Sequence, residues 1–398
     1  MVLPPELFDA VVDELESDRN ALKTCSLVSR VLRPRAQAHL FREISLESPN
    51  WCKKFHHIAS TSPSLPFVVH SLRLVTFPRQ WVSEEPTLPL VLKRMVNLRH
   101  LQMFFVEWQS LPSLESALRS LRNLTALTLS NVFFENCLAF FAMLGLIPGM
   151  RQLTLRGVFF KGLPLPHDTL SSDTQRVHLH TLRIVSTQYS EDASRNILIS
   201  FLHPSSPISL TELKDFQITP FLTSDIETVR AVLSASVDSL NHLSLDAFVQ
   251  SHVVDEFTAI CEPLHVHHIP SISLELCDKV SIQKQLKWWT EGFNIRAEVY
   301  ALRVISITIR LDEISSIESP AFTDVTIWEA LDAALTRREM ALLQGVEFIF
   351  DIGPASNRKT LARDLDKFFP TACKGLHSKN LLRFRIRDIF QRLIAKGS

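Results

Sequence analysis

The chain has 398 residues, 46% of them hydrophobic with a mean hydropathy of +0.11, which supports a large buried core and exceeds what one compact core usually holds. Two domains or an elongated repeat are therefore expected. Lys plus Arg equals Asp plus Glu at 42 each, so no global field is available to hold a phosphate backbone, and nucleic acid is set aside as a partner.

The first element is "LPPELFDAVVDEL", a short helix with Pro4 and Pro5 at its start and Leu7, Val11 and Leu15 recurring along one stripe. "DRNALKTCSLVSR" follows, with Leu22, Cys25 and Val28 on a second apolar stripe and Asp18 or Asn20 placed to cap it. "RPRAQAHLFREISL" offers Pro34 as a first-turn residue of a third helix that ends near Leu40 and Phe41. Three short helices have too little interior to stand alone, so an apolar face is expected to need a partner. Arg30, Arg33, Arg35 and Arg42 gather near the third helix, as a solvated face or as contacts for acidic groups on that partner.

Taken in order, "LPPELFDAVVDEL", "LKTCSLVSR" and "LFREISL" resemble the F-box, in the form common in fungal F-box proteins with leucine-rich tails. "FHHIASTSPSLPFVVHSLRLV" is similar to the passage from F-box to first repeat in those proteins. The resemblance implies docking to a Skp-type adaptor of a cullin-RING ubiquitin ligase, with target proteins recruited by the C-terminal repeats. Carried over by position, the adaptor face comprises Leu3, Pro4, Leu7, Leu15, Leu22, Val28 and Ser29. Leu32 stands where the family often has Trp; it fills a groove with less area, at a cost of about 1–2 kcal/mol in docking. A simple cap closing the open end of a solenoid is the competing reading of these helices.

From residue 69 onward an apolar-x-x-apolar-x-apolar unit returns. It runs Val69, Leu72, Leu74; Leu98, Leu101, Met103; Leu124, Leu127, Leu129; Met150, Leu153, Leu155; and Leu179, Leu182, Ile184. Further copies are Leu240, Leu243, Leu245; Ile269, Ile272, Leu274; Leu302, Ile305, Ile307; Leu343, Val346, Phe348; and Leu381, Phe384, Ile386. A copy at Leu210 and Leu213 is blurred by Asp215 and Phe216. The spacing is about 26 to 31 residues through the middle and longer near the end. Short strands with alternate residues turned inward, separated by helical segments such as Leu111 to Leu121 and Ile226 to Leu240, predict stacked strand–helix units. Ser224 and Glu227 stand in capping-box register before the second segment. The 26 Phe against 2 Tyr imply that most aromatics fill interiors rather than present hydroxyls to a partner.

Roughly four fifths of the chain resembles the leucine-rich repeat family in this way. It departs in lacking the asparagine that usually follows the strand: Val132 and Val158 hold that place, with Asn131 one position early. The expectation is an α/β chain: a small N-terminal three-helix F-box at 1–46, a linking helix and loop at 47–68, and a leucine-rich-repeat solenoid with a curved parallel sheet at 69–398. Its outward strand positions, Arg73, Gln102, Phe104, Thr128, Thr154, Arg156, Arg183, Ser244, Asp246 and Glu275, form a mixed lining suited to a protein or peptide target not identified by sequence.

"CEPLHVHH" places Cys261, His265, His267 and His268 together, but the spacing matches no standard zinc pattern and the segment runs into a strand, so no metal or cofactor is assigned. "KKFHH", with His56 and His57, reads as the polar side of the linking helix. P-loop, G-x-G-x-x-G, G-x-S-x-G and H-E-x-x-H motifs are missing, and nine glycines leave few places for close phosphate approach, so no enzyme activity is assigned. The opening residues carry acids where a leader's apolar run belongs, and Cys137 to Ile147 is too short to span a bilayer, so no leader or membrane span is expected. Cys25, Cys52, Cys137, Cys261, Cys277 and Cys373 include no C-x-x-C pair, which fits an intracellular, cytoplasmic or nuclear protein.

Overall fold

The computed structural model describes residues 4–77, 80–109, 111–161, 176–185, 191–203, 206–219, 226–246, 262–277, 282–295, 299–311, 324–352 and 358–388. The chain divides into two compact units, one of Met1–Leu179 with Ser186–Ser209 and one of His180–Val185 with Leu210–Ser398.

The first unit begins with three helices, α1 (Pro5–Asp13), α2 (Arg19–Val28) and α3 (Arg33–Phe41). Prolines in the first turns of α1 and α3 sit where an N–H has no intrahelical partner. The Asp18 carboxylate caps α2, accepting from the Asn20 and Ala21 N–H groups at 3.0 Å each. Strands and helices then alternate: β1 (Glu43–Leu46), α4 (Pro49–Thr61), α5 (Leu65–Val68), β2 (Ser71–Val75), α6 (Leu88–Arg94), β3 (His100–Phe104) and α7 (Pro112–Ser120). They continue with β4 (Ala126–Phe134), α8 (Cys137–Gly145) and β5 (Gln152–Phe160). β1 to β5 are parallel neighbours in chain order. A separate parallel pair joins β6 (Val177–His178) to β8 (Ile208–Ser209), with α9 (Glu191–Leu202) between them in the chain.

The second unit repeats the plan. β7 (Thr181–Val185), β9 (Asp215–Thr219), β10 (His242–Leu245), β11 (Ser271–Cys277), β12 (Val304–Leu311), β13 (Gly345–Ile352) and β14 (Leu382–Asp388) pair in parallel in that order. Between them lie α10 (Ile226–Ala235), α11 (Ile282–Phe293), α12 (Val325–Thr336), α13 (Arg358–Ala372) and α14 (Lys374–Ser378). No described helix is long and apolar enough to cross a membrane.

Register explains the repeat. Ile44, Leu72, Leu101, Leu127 and Leu153 align across the first sheet, as do Leu46, Leu74, Met103, Leu129 and Leu155; all but Ile44 are buried. Each row is one layer of core supplied by one inward position per strand. The structure adds one copy of the unit that the sequence reading lacked and moves another. Phe41, Ile44, Leu46 is a complete copy within 1–46, and Ile44 and Leu46 pair with Leu72 and Leu74. The blurred copy is complete once shifted by three, as Leu213, Phe216, Ile218, all buried on or beside β9. Ser224 lies outside the described residues.

The missing asparagine is replaced by two devices. Asn97 and Asn123, each just before a strand, donate from Nδ2 to the carbonyls of Phe67 (2.8 Å) and Val96 (2.9 Å) in the preceding repeat. Immediately after the aligned outer residues Phe104, Ser130 and Arg156, the backbone turns through positive φ at Phe105 (58°), Asn131 (52°) and Gly157 (64°). Asn and Gly accept that region readily, whereas Phe105 carries about 1 kcal/mol of strain. The turn is held there by the Phe105 N–H, which donates to Ser130 O at 2.9 Å.

Candidate functional site

Two surfaces carry the residues singled out by sequence: the N-terminal helices and the outward face of each sheet.

The helices build a small core of Val12, Leu22 and Ala36, against which Leu15, Cys25, Leu32 and Leu40 pack partly buried. Leu22 therefore corrects the sequence reading: it is 1% exposed and holds the bundle together rather than presenting a face. Leu15 and Leu32 serve mainly the same core. Pro4 is exposed, Ser29 is half-buried with its Oγ accepting from the Leu32 N–H at 3.4 Å, and Leu3 lies outside the described residues. Once this core has closed, five large aliphatic side chains among the described residues remain in the open: Leu7 (51% exposed), Val11 (60%), Leu27 (79%), Val28 (74%) and Val31 (55%). Val11 was read on the first apolar stripe but not carried into the adaptor face, and Leu27 and Val31 were not singled out; all three are positions that the buried set, once known, leaves facing outward.

An ionic clip ties α1 to α3. Arg35 donates from Nε and Nη2 to the two Asp13 carboxylate oxygens at 2.5 and 2.8 Å, and His39 Nε2 lies 2.7 Å from Asp13 Oδ1. Arg42 reaches Glu16 at 2.5 Å, and Arg33 Nε donates to Ser26 O at 3.0 Å. Three of the four gathered arginines thus bond within the bundle while Arg35 and Arg42 stay solvated, which fits the solvated-face alternative and leaves fewer of them for contacts with a partner. Hydrogen bonds from Arg35 first and His39 second hold the Asp13 carboxyl well below its usual value of 3.8. A depressed folded pKa contributes stability at neutral pH that is lost as pH falls below 3.8. Amide exchange in α1 and α3, corrected for intrinsic rate, is expected to rise between pH 5 and pH 3. Asp13→Asn is expected to be loose already at pH 5, with that pH dependence flattened; an unchanged profile would show the clip to be inert.

On the first unit's sheet the outward residues fall into rows. Ser45, Arg73, Gln102, Thr128 and Thr154 align, and Val75, Phe104, Ser130 and Arg156 form the next row. Register thus brings together the six residues singled out here by sequence, none of them buried. The Arg73 guanidinium lies 4.2 Å from the centre of the Phe104 ring. His100 Nε2 meets Thr128 Oγ1 at 3.0 Å, and burial lowers the His100 pKa, which favours the neutral imidazole.

Sequence reading missed an aromatic rim beside these rows. Phe77, Phe105 and Phe133 are exposed and Phe159 half-buried; Phe77 and Phe105 have ring centres 5.5 Å apart, and Phe133 stacks on Phe159 at 4.8 Å. These four are exceptions to the expectation that most aromatics fill interiors. The signal was present in the doublets Phe133-Phe134 and Phe159-Phe160, because alternation along a strand cannot turn both rings inward.

In the second unit the outward face is more strongly paired. Arg183 is exposed and Ser244 half-buried, but Asp246 and Glu275 are only 8% and 4% exposed, which corrects their reading as free target contacts. Asp246 accepts from Gln217 Nε2 and Ser244 Oγ, each at 3.4 Å, and Glu275 forms an ion pair with Arg310. Farther along, Arg385 donates to Glu347 at 2.7 Å and Arg387 to Asp351 at 3.0 Å. Charges on neighbouring parallel strands neutralise each other, leaving a polar face of near-zero net sign.

The histidine segment brings the rings of His265 and His267 to 6.5 Å and those of His267 and His268 to 5.4 Å, while Cys261 lies outside the described residues. Among the described residues no three His, Cys, Asp or Glu side chains converge in a way that could hold a metal.

No family model and no curated protein matches the chain. Among the solved structures similar to the chain is the complex of Rad7 and Elc1 from yeast, over 90% of this chain and 92% of that chain, with a TM-score of 0.37 and 13% identity. A likeness of that size bears on neither the fold nor the function argued here.

Proposed function

We propose that the chain is the target-recognition subunit of a Skp–cullin–F-box type ubiquitin ligase, with α1 to α3 as the F-box and the repeats as the target-binding part. The observation that carries the reading is the set of five aliphatic side chains left exposed on a bundle whose own core is closed. Such groups lower the free energy by about 1–2 kcal/mol each when a partner covers them. Three helices with "LPPELFDAVVDEL" and "LVSR" at these places are the form a Skp-type adaptor groove accepts. In this role the subunit does no chemistry of its own: it holds a target lysine near a ubiquitin thioester and raises the effective concentration. The unpaired thiols of Cys25, Cys52, Cys137 and Cys373 suit a reducing, intracellular setting.

The test is co-purification with a Skp-type adaptor. Leu7→Asp and Leu27→Asp each place a charge on an exposed position, so the fold is retained while adaptor capture falls at least about tenfold. Undiminished capture by both variants, or no capture by the unaltered chain, removes the proposal and leaves a leucine-rich-repeat scaffold outside any ligase.

A further inference from the structure

β1 is the terminal strand of its sheet, and its pairing uses one side only among the described residues. The Arg42 carbonyl accepts from the His70 and Ser71 N–H groups at 2.8 and 3.0 Å. Parallel pairing alternates along a strand, so Ile44 addresses β2 and the main-chain groups of Glu43 and Ser45 are aimed at the open side. An open strand edge of this kind is a template for a further strand.

Beside that edge lies a cavity of about 730 Å³, bounded by α2, the end of α3, β1 and the outer side of α4. Its floor is apolar, from Leu40, Phe41, Ile44 and Phe55. Trp51 and Ile58, both exposed although they are large and apolar, form the wall on α4. Arg19, Lys23, Lys53 and Lys54 stand around it against the single carboxylate of Glu43. The Lys54 ammonium sits 5.2 Å from the centre of the Trp51 ring, and Lys53 is 3.6 Å from the buried Glu85.

We propose that this cleft receives an extended acidic segment of another polypeptide, added to β1 as a strand. Its apolar side chains enter the cavity and its carboxylates meet Arg19, Lys23 and Lys54. Each observation selects a part of that ligand: the open edge selects an extended main chain, the aliphatic and aromatic floor selects apolar side chains, and Arg19, Lys23 and Lys54 against the one acid Glu43 select negative charge, Lys53 being paired with Glu85. A membrane surface uses the charge and leaves the strand edge unsatisfied. The binding differs from adaptor docking, which rests on Leu7 and Leu27, so either can fail without the other.

The probe is a set of fluorescein-labelled nine-residue peptides alternating Glu or Asp with Val, Leu or Phe, titrated with the full chain and read by anisotropy. Binding is expected, weakening several-fold between about 50 and 500 mM salt. Lys23→Glu and Lys54→Glu are each expected to reduce it about tenfold while adaptor capture is retained. N-methylation of alternate peptide amides, which removes strand donors and leaves the protein untouched, is expected to abolish it for one of the two alternating sets. Absence of binding, equal binding of both N-methylated sets and the parent, or capture of phosphatidylserine vesicles in preference to the peptides overturns the proposal.

Discussion

Trp328→Ala is expected to lower the stability of the second unit by about 3–5 kcal/mol. Trp328 on α12 is fully buried, with its ring edge-on to Phe348 (5.4 Å), Phe368 (6.0 Å) and Phe369 (5.3 Å). Phe369 in turn stacks on Phe348 at 4.9 Å and Phe384 at 6.1 Å, so the rings join α12, β13, α13 and β14 into one cluster. Removing the indole leaves a cavity that the packed rings on β13 and α13 cannot close, in addition to the lost transfer free energy. Equilibrium urea unfolding measures it. Trp328→Phe should recover part of the loss, and a cost below about 1 kcal/mol for the alanine variant would show that the cluster collapses to fill the space.

Asp332→Ala is expected to cost about 2–4 kcal/mol by a different route. Asp332 lies within α12, almost buried, and its Oδ2 and Oδ1 accept from the N–H groups of Gly375 (2.8 Å) and Leu376 (2.7 Å) at the start of α14. Alanine leaves two amides without an acceptor where water has little access, and each carries its desolvation penalty. Asn keeps one acceptor oxygen and turns an NH₂ toward the other amide, so Asp332→Asn should lie between. Gly375 belongs to the same arrangement: a Cβ there would come within 2.9 Å of Asp332 Oδ2 and of Thr336 Cγ2. Gly375→Ala is therefore destabilising in the same urea unfolding experiment, and if Asp332→Ala left the transition unchanged, the contact would be shown to be dispensable.

Much of the fold was legible because one strand–helix unit cannot bury its own apolar side, so the inward positions must recur. Where reading failed, competing uses of the same residue types were the cause. Phe41, Ile44, Leu46 carries the repeat pattern but sits where a helical module was expected, and a strand was passed over. At the site, a buried leucine and an exposed one have the same letter: Leu22 faces Val12 and Ala36, whereas Leu27, one and a half turns on, faces away. Asp246 and Glu275 alternate outward as read, yet parallel register puts a donor beside each, and pairing rather than orientation decides their availability.

By itself, the sequence determined the repeating α/β plan, the inward rows of the parallel sheets, and an N-terminal trio of helices too small to bury all of its aliphatic groups. Those follow from periodicity and composition, which are local properties. Only tertiary structure decided which aliphatic groups stay exposed, which charges are neutralised across strands, and that β1 presents an open edge over an apolar cleft. These depend on contacts between residues about 20 to 40 positions apart, whose partners no local pattern specifies.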